Sequence, residues 1–384
     1  MRFEFATATR IIFGAGTLQE VGSIAVEMGK RALVVNGLPE GSRLPIAEVL
    51  TAHELDFLTL PVIGEPTVDE IRRGTQYARE NHCDLVIGFG GGSALDTGKA
   101  IAAFLTNTGN ITDYLEVIGL GRSLTQPSVP YIAVPTTAGT GAEVTRNAVL
   151  GSPEHRMKVS IRSPYLLPRL SLIDPELTYS LSPSVTASTG LDALTQLIEP
   201  FVSIRANPFT DAICREGMTR AARSLRRVYE NGSDAAARED MALASLFGGI
   251  SLANAGLGAV HGFASVLGGN FPAPHGAICA CLLPFVMDIN IRALQMRQPE
   301  STDLHRYDEV ARILTGKQNA QAADGVAWAQ ELCSALDIPS LSSYGMTADD
   351  IPEIVGKSTK ASSMKSNPIQ LSQEEMTEIL ESAL

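Results

Sequence analysis

The sequence predicts an α/β domain followed by an all-helical domain, and three observations support this division. Short apolar, β-rich runs alternate with helical stretches in the first half of the chain, which is typical of a parallel sheet wound by helices. The β-rich runs stop after Asp174-Pro175, and helical periodicity follows from about Ser182 onward. The length of 384 residues corresponds to about two ordinary domains. We therefore expect one domain over residues 1–180 and a second over residues 181–384.

Four apolar runs in the first domain are predicted strands, because each is β-rich and ends at Gly, Asn, Asp or Pro. These strands cover residues 31–35, 84–89, 131–134 and 170–173. The second domain is predicted to begin with three helices, over residues 183–202, 208–229 and 235–252.

The composition is that of a globular protein that acts on small molecules. Hydrophobic residues make up 45% of the chain and charged residues 19%, so a large core can be buried and disorder is not expected. The 30 Lys and Arg residues against 42 Asp and Glu residues give a net charge of −12, which disfavours attraction to nucleic acids or anionic membranes. A small-molecule substrate is therefore the better expectation.

The five cysteines indicate a reducing compartment. Their odd number cannot be paired completely within one chain, and none belongs to a C-x-x-C motif. The first residues, MRFEF, lack the basic segment and long apolar core of a signal peptide. We therefore expect a cytoplasmic protein.

A stretch without Asp, Glu, Lys or Arg, from residue 241 to 287, is either a buried core segment or a membrane segment. Pro272 and Pro274 interrupt it, and Asn254 and Asn270 add polar groups that lipid would not satisfy. We therefore expect a buried segment and no membrane partner.

A glycine-rich junction follows the second predicted strand. Residues 84–99 read DLVIGFGGGSALDTGK, in which Gly90, Gly91 and Gly92 lead into a helix that opens at Ser93. Glycines let backbone N–H groups approach phosphate oxygens without a Cβ collision, and the helix N-terminus adds partial positive charge. The spacing is neither G-x-G-x-x-G nor that of a Walker loop. The junction predicts a phosphate-binding loop, with a tight turn that binds no ligand as the alternative.

A second polar loop follows the third predicted strand. Residues 134–145 read VPTTAGTGAEVT and crowd hydroxyls and glycines at the end of that strand. Ligands of a doubly wound sheet bind at the carboxyl ends of strands, so we expect both loops to face one crevice. The alternative is a capping box formed by Thr140 and Glu143, which is compatible with ligand contact.

Three separated residues are candidates to hold a divalent metal ion. Asp192 lies in a predicted helix, His261 and His275 lie in the charge-free stretch, and a carboxylate with two imidazoles is a suitable ligand set. The position one helical turn after Asp192, where a fourth ligand would project, is Gln196. The alternative is that both histidines are core residues bonded to backbone carbonyls.

Together, these pieces resemble the iron-containing alcohol dehydrogenase family of the dehydroquinate synthase-like superfamily, over nearly the whole chain. The likeness rests on six segments in order: TRIIFGAG at 9–16, GGGS at 90–93, PTTAGTGAE at 135–143, GLDAL at 190–194, NAGLG at 254–258 and PHG at 274–276. The resemblance implies an N-terminal nucleotide-binding α/β domain, an all-α C-terminal domain and an active site in the cleft between them. It also implies an NAD(P)-dependent alcohol dehydrogenase or carbonyl reductase.

The resemblance further implies which residues bind the cofactor. They lie in the two loops and the helix between them: Gly90, Gly91, Gly92, Ser93, Asp96, Lys99, Thr136, Thr137, Thr140 and Thr145. Many NAD-preferring members carry Asp at a position that is Gly37 here, and an acidic side chain there would repel a 2′-phosphate. We therefore expect NADP in preference to NAD, with Ser42 or Arg43 meeting the phosphate.

In the metal site that the resemblance implies, Asp192, His261 and His275 match three of four protein ligands, and Gln196 replaces the fourth. An amide oxygen is a poorer donor to Fe²⁺ or Zn²⁺ than imidazole, so a weakly bound metal or none is expected. With a metal, the enzyme would interconvert an alcohol and an aldehyde or ketone. Without one, His261 or His275 would act on the substrate directly, as in the metal-independent maleylacetate reductases. Ser265 stands where many members have a further histidine.

Two expectations about activity and partners remain. Because two active-site positions are substituted, a nucleotide-binding protein without turnover is the second alternative. The expected partners are a small alcohol, aldehyde or keto acid and, from the resemblance, a second copy of the chain in a homodimer.

Overall fold

The computed structural model describes residues 2–384, and the chain divides into two compact units. The first unit comprises Thr7–Thr137 and Gly141–Tyr179. The second comprises the segment up to Ala6, together with Ala138–Thr140 and Ser180–Leu384. The first unit is α/β and the second is helical, so the predicted fold class is confirmed.

A parallel sheet of six strands forms the centre of the first unit, in the order β1-β8-β5-β4-β2-β3. The strands of the sheet are β1 (Ile11–Phe13), β2 (Arg31–Asn36), β3 (Asp56–Pro61), β4 (Leu85–Gly90), β5 (Tyr131–Pro135) and β8 (Leu170–Ile173). The helices of this unit are α1 (Val21–Met28), α2 (Pro45–Ala52), α3 (Val68–Glu80) and α4 (Gly92–Thr106). An antiparallel hairpin of β6 (Asn147–Ser152) and β7 (Met157–Arg162) completes it.

Alternate residues of the central strands face opposite sides of the sheet. Leu33 and Val35 of β2 belong to one hydrophobic core, and Ala32 and Val34 belong to the other. All four side chains are fully buried, because both faces of the sheet are covered. Strands buried on both faces read as continuous apolar runs, which is why β2, β4, β5 and β8 were predictable from the sequence.

The remaining strands carry weaker sequence signals. β1 has only three residues, and β3 lies at the sheet edge, where Asp56 and Pro61 are exposed. β6 and β7 form a separate two-stranded sheet outside the main sheet. Edge and hairpin strands bury less apolar surface, so an apolar run does not mark them.

The second unit is built from helices. They are α5 (Pro183–Val202), α6 (Pro208–Glu230), α7 (Ala235–Ala255), α8 (Ala259–Asn270), α9 (His275–Arg297), α10 (Thr302–Thr315), α11 (Ala322–Ala335), α12 (Ile351–Ser358) and α13 (Gln373–Ser382). Pro183 opens α5 behind the capping hydroxyl of Ser182, which accepts a hydrogen bond from Val185 N–H.

The charge-free stretch of residues 241–287 lies in the interior of this helical unit. It covers most of α7, all of α8 and the first half of α9, and side chains such as Phe263, Ile278 and Leu282 are fully buried. By length and composition α9 is one helix that could cross a membrane, but 83% of its apolar window is buried inside the protein. The pair α7 and α8 meets the same criterion only jointly, and it is bent by 101°.

An ion-pair network fastens α6 to α7. The carboxylate of Asp240 accepts hydrogen bonds at 2.7–2.8 Å from Arg220 and Arg223, and one at 2.6 Å from Ser224 Oγ. Burial by itself raises the pKa of Asp240, but these donors outweigh burial and hold the pKa below its usual value.

We expect Asp240→Asn to lower the free energy of unfolding by about 1.5–3 kcal/mol at neutral pH, because hydrogen bonds to charged groups contribute this much. The pKa of Asp240 is lower in the folded than in the unfolded chain. Its stabilisation is therefore present above the usual Asp pKa of about 3.9 and is lost as the pH falls through the folded value. Urea unfolding of both proteins at several pH values measures the difference.

The matched control is Glu331→Gln, which removes an exposed ion pair with Arg226 and is expected to change stability by less than about 1 kcal/mol. Equal losses in the two variants, or a loss that does not shrink in acid, would contradict the role given to Asp240.

Candidate cofactor loop and metal centre

Three strand ends of the first unit are tied together at the carboxyl edge of the sheet. Gly37 N–H, just after β2, donates to the carbonyl of Phe89 in β4 at 2.8 Å. Thr136 N–H, just after β5, donates to the carbonyl of Gly90 at 2.9 Å. The strand order reverses between β2 and β4. The strand that follows β2 in the chain, β3, lies on one side of β2, whereas β4 and then β5 lie on its other side. Ligands of doubly wound sheets bind at such a reversal.

Gly37 and Gly90 are glycines because their backbones nearly touch. A Cβ at Gly37 would lie 2.8 Å from Ala94 Cβ and 3.3 Å from Gly90 Cα. A Cβ at Gly90 would lie 2.8 Å from Gly37 Cα, and the φ of Gly90 is +153°. The contact leaves no room for a side chain at residue 37.

Gly91 differs from these two glycines, because its missing side chain leaves space that the protein does not fill. A Cβ there would meet only Thr137, at 3.4 Å, and the φ of Gly91 is an ordinary −75°. Gly91 is the N-cap of α4, which begins at Gly92 and continues through Ser93, and no side chain caps the helix. The first N–H groups of α4 therefore face this space, which fits a phosphate group.

Asp96 and Lys99 form a buried ion pair with Nζ and Oδ1 2.9 Å apart. Lys99 Nζ also donates to Thr145 Oγ1 at 2.8 Å and to the carbonyl of Asn147 at 2.6 Å. Asp96 Oδ2 accepts from Val149 N–H at 2.9 Å. The side chains of Asp96 and Lys99, both predicted to line the cofactor, thus hold β6 and the residues just before it against α4.

In the PTTAGTGAE loop the N-cap residue is Gly141, one residue after the predicted Thr140. Gly141 (φ +58°) precedes a short 3-10 turn at Ala142–Val144, and Thr140 clusters with the helical unit. Glu143 is buried, and burial raises its pKa to about 7. Thr136 is buried in the first unit.

In the helical unit, three helices bring the predicted metal residues together. Asp192 and Gln196 lie one turn apart on α5, His261 lies in the first turn of α8, and His275 is the first residue of α9. The carboxylate Oδ1 of Asp192 lies 3.4 Å from His261 Nε2 and 3.9 Å from His275 Nε2. Asp192 and His261 are almost fully buried, whereas the side chain of His275 is 30% exposed.

Two glycines permit this approach of helices. A Cβ at Gly276 would lie 2.4 Å from the carbonyl oxygen of Ser188 on α5. A Cβ at Gly258 would lie 2.9 Å from the carboxylate of Glu199. His261, which follows Gly258, and His275, which precedes Gly276, can therefore reach α5.

Glu199 supports His261 and was not predicted from the sequence. Its Oε2 lies 2.7 Å from His261 Nδ1, and its Oε1 accepts from Val260 N–H at 2.7 Å. With Nδ1–H donating to Glu199, the lone pair of Nε2 faces Asp192, the tautomer that a metal ligand requires. The available signal was spacing, since Glu199 lies seven residues after Asp192 on the same helix face.

Two oxygens in the pocket lack partners among the described residues. Asp192 Oδ1 and Gln196 Oε1 are buried and accept no hydrogen bond, while Gln196 Nε2 donates to the carbonyl of Gly139 at 3.4 Å. A buried acceptor left unsatisfied is costly, and a cation would satisfy both. The residues therefore fit a divalent ion.

A thiol that sequence reasoning missed, Cys279, completes the pocket. It lies one turn after His275 on α9 and is fully buried. Its Sγ lies 3.8 Å from His261 Nε2 and 3.7 Å from His275 Nε2. The potential ligand atoms of Asp192, His261, His275 and Cys279 all lie within 4.8 Å of one another.

The ionisable groups of the pocket shift one another's pKa values. Burial by itself raises the pKa of Asp192 and of Cys279, but the two imidazoles outweigh burial and lower both values. Burial by itself lowers the pKa of His261, but Cys279, Asp192 and Glu199 outweigh it and raise the pKa well above its usual value. The pocket thus favours positive charge beside its anionic groups.

The hydroxyl of Ser265 is hydrogen-bonded within its own helix. Its Oγ donates to the carbonyl of Gly262 within α8 at 2.9 Å. Because that bond uses the only proton of the hydroxyl, Ser265 is a poor candidate for a proton relay.

Comparison with known proteins covers nearly the whole chain. Residues 8–175 match the family model "Iron-containing alcohol dehydrogenase", and residues 186–384 match "Fe-containing alcohol dehydrogenase family, C-terminal". A sulfoacetaldehyde reductase of Bilophila wadsworthia (strain 3_1_6) is 34% identical over 395 residues, covering 99% of each chain. A solved 1,3-propanediol oxidoreductase superposes with a TM-score of 0.92 at 32% identity, covering 100% of both chains. Sulfoacetaldehyde reductase from Bifidobacterium kashiwanohense, solved in complex with NAD⁺, has a TM-score of 0.85 at 27% identity, covering 100% of this chain and 99% of that one.

We expect Lys99→Met to destabilise the protein by about 3–5 kcal/mol, because it leaves the buried carboxylate of Asp96 without its partner. Urea unfolding measures the loss. The double variant Asp96→Asn with Lys99→Met removes both charges and should recover part of the stability. A Lys99→Met protein of unchanged stability that binds nucleotide more weakly would instead indicate direct contact with the cofactor.

Proposed function

Since the chain belongs to the iron-containing alcohol dehydrogenase family, whose members are enzymes, we propose that it interconverts an alcohol and an aldehyde or ketone by hydride transfer. We propose NADP(H) as the preferred cofactor and a divalent metal ion held by Asp192, His261 and His275. The observation that carries the metal is the unsatisfied carboxylate oxygen Asp192 Oδ1, which lies beside two imidazole Nε2 atoms.

Each residue of the metal pocket has a separate task in this proposal. When bound, a divalent ion supplies Lewis-acid polarisation of the substrate oxygen. Asp192 supplies a buried negative charge, and Glu199 holds His261 in the tautomer whose Nε2 accepts a cation. The partial exposure of His275 leaves its side of the pocket open to an entering substrate.

The cofactor contributes a hydride donor or acceptor at its nicotinamide ring. In this proposal its pyrophosphate lies in the space at Gly91, against the first turn of α4 and beside Thr137. Gly90, Gly92 and Ser93 adjoin Gly91 in the chain, and Thr136 N–H donates to the carbonyl of Gly90. Asp96, Lys99 and Thr145 bond to one another in the interior.

The preference for NADP rests on residue 37. Gly37 carries no carboxylate, and contact with Ala94 and Gly90 excludes any side chain there. A 2′-phosphate would therefore meet no repulsion from this position. Arg43 forms an exposed ion pair with Glu48 at 2.6 Å, which is weak enough in water for a phosphate to replace the carboxylate.

The metal-independent mechanism, in which His261 or His275 acts on the substrate directly, is less favoured. It would leave Asp192 Oδ1 buried without a partner. A cytoplasmic location and a homodimer stay predictions, and sedimentation of the purified protein tests the dimer.

The experiment that tests the function combines metal analysis with a substrate panel. Protein purified without chelator is expected to hold about one divalent ion per chain and to consume NADPH with simple aldehydes. Asp192→Asn should lose both properties. Turnover that persists after complete metal removal, or turnover with maleylacetate alone, would establish the metal-independent reductase instead.

We expect Gly91→Leu to weaken NADPH binding by at least about tenfold, or about 1.4 kcal/mol, because its side chain enters the space assigned to the pyrophosphate. The thermal midpoint should change little, since the protein leaves this space open. Gly90→Ala is the contrasting variant, and it should lower the thermal midpoint through its contact with Gly37. Unchanged NADPH affinity in Gly91→Leu would exclude this loop as the cofactor site.

We expect Arg43→Ala to weaken NADPH binding by about 10- to 100-fold and to leave NADH binding unchanged, since a charge-assisted hydrogen bond contributes about 1.5–3 kcal/mol. Fluorescence titration with each cofactor measures the ratio. Arg72→Ala, which removes another exposed arginine paired with Asp69, is the matched control. An equal effect on both cofactors would contradict recognition of the 2′-phosphate by Arg43.

A further inference from the structure

We propose that Cys279 supplies a thiolate ligand to the metal ion, so that this chain builds an Asp–His–His–Cys centre in place of one completed by Gln196. The inference rests on the proposed metal-dependent function and concerns which side chain fills the fourth position. The sequence predicted that a substituted fourth ligand weakens the site, whereas the structure offers a replacement from another helix.

The distances between the donor atoms match those around one ion. Ligands at about 2.0–2.1 Å for nitrogen or oxygen and about 2.3 Å for sulfur, in tetrahedral directions, lie roughly 3.3–3.6 Å from one another. Cys279 Sγ lies 3.7 and 3.8 Å from the two Nε2 atoms, and Asp192 Oδ1 lies 3.4 and 3.9 Å from them. The other two pairs of donor atoms lie within 4.8 Å of each other, so shifts of the side chains can bring all four donors onto one cation.

The position of Cys279 is fixed by the helix that carries it. His275 and Cys279 are four residues apart on α9, so they project to the same face. Cys281, two residues further on, points elsewhere, because its Sγ donates to the carbonyl of Ala383 at 3.5 Å. Only one of these two buried thiols therefore faces the imidazoles.

The chemistry of the four donors favours zinc over iron. As the sulfur–metal bond forms, the Cys279 thiol loses its proton to solvent, and no electron is transferred. Two anionic ligands then balance a dication, and thiolate with imidazole is a donor set that selects zinc.

Gln196 has a different task in this arrangement. Its amide nitrogen donates to the carbonyl of Gly139 at 3.4 Å, which orients the side chain. Its oxygen then stays free to accept a hydrogen bond from a water molecule or a substrate hydroxyl in the pocket.

Cobalt substitution tests the ligand set without measuring activity. Metal-free full-length protein is loaded with Co²⁺, whose visible bands report binding and whose sulfur-to-cobalt charge-transfer band in the near ultraviolet reports a thiolate. We expect both signals in the wild type. Cys279→Ser should lose the ultraviolet band and bind Zn²⁺ more weakly. Changing a residue that only supports a ligand lowers metal affinity by about 10- to 100-fold, and we expect a larger loss here.

Two variants serve as matched controls. Cys281→Ala removes the other buried thiol of α9, and Gln196→Ala removes the competing ligand, and both should keep the charge-transfer band. X-ray absorption at the zinc edge of the wild-type protein should show one sulfur neighbour at about 2.3 Å, a readout that requires no variant to fold.

The possible outcomes separate this inference from the function it rests on. Visible cobalt bands without the ultraviolet band, a band that survives in Cys279→Ser, or a zinc site without sulfur overturns the thiolate ligand and leaves the metal-dependent function standing. Failure of the wild type to bind either Co²⁺ or Zn²⁺ overturns both proposals.

Discussion

The buried carboxylate of Asp192 is the constraint on which the site depends. A charge removed from water must be paired, and the helical unit arranges three helices around this one. Gly276 and Gly258 let α9 and α8 approach α5 closely enough to bring the imidazoles to Asp192 and Glu199. A divalent ion at this place would supply the positive charge that pairs with the buried carboxylate.

Glycines at the proposed cofactor loop have two different roles, close packing and space for a ligand, which the sequence does not distinguish. Gly37 and Gly90 are required by packing, since their backbones approach to a distance that excludes a Cβ. Gly91 is not required by packing, and its space is left for a ligand. The same contact that removes a side chain at residue 37 also removes the acidic group that would repel a 2′-phosphate. Sheet packing and the proposed preference for NADP are therefore linked through one glycine pair.

In the proposed metal centre, a thiol from another helix compensates for the substituted ligand. Gln196 occupies the position one turn after Asp192, and a thiol arrives from α9 at a comparable distance. A thiolate reduces the net charge of the centre compared with a third imidazole, so the bound ion would polarise the substrate oxygen less strongly. Because four protein donors complete a tetrahedral site, the proposed reaction would require the ion to take the substrate oxygen as a fifth ligand.

The sequence by itself determined the two-part fold, the four strands buried on both faces and the bounds of α5, because these depend on local periodicity and on Pro, Gly and Ser at the ends. It also determined three candidate metal residues and the glycine loop, through residue type and order. Tertiary structure alone decided that Glu199 and Cys279 belong to the pocket and that Lys99 and Asp96 satisfy each other. A period of four or seven residues shows which side chains share a helix face. The neighbour that this face meets depends instead on tertiary packing, since His261 lies 62 residues after Glu199 in the chain.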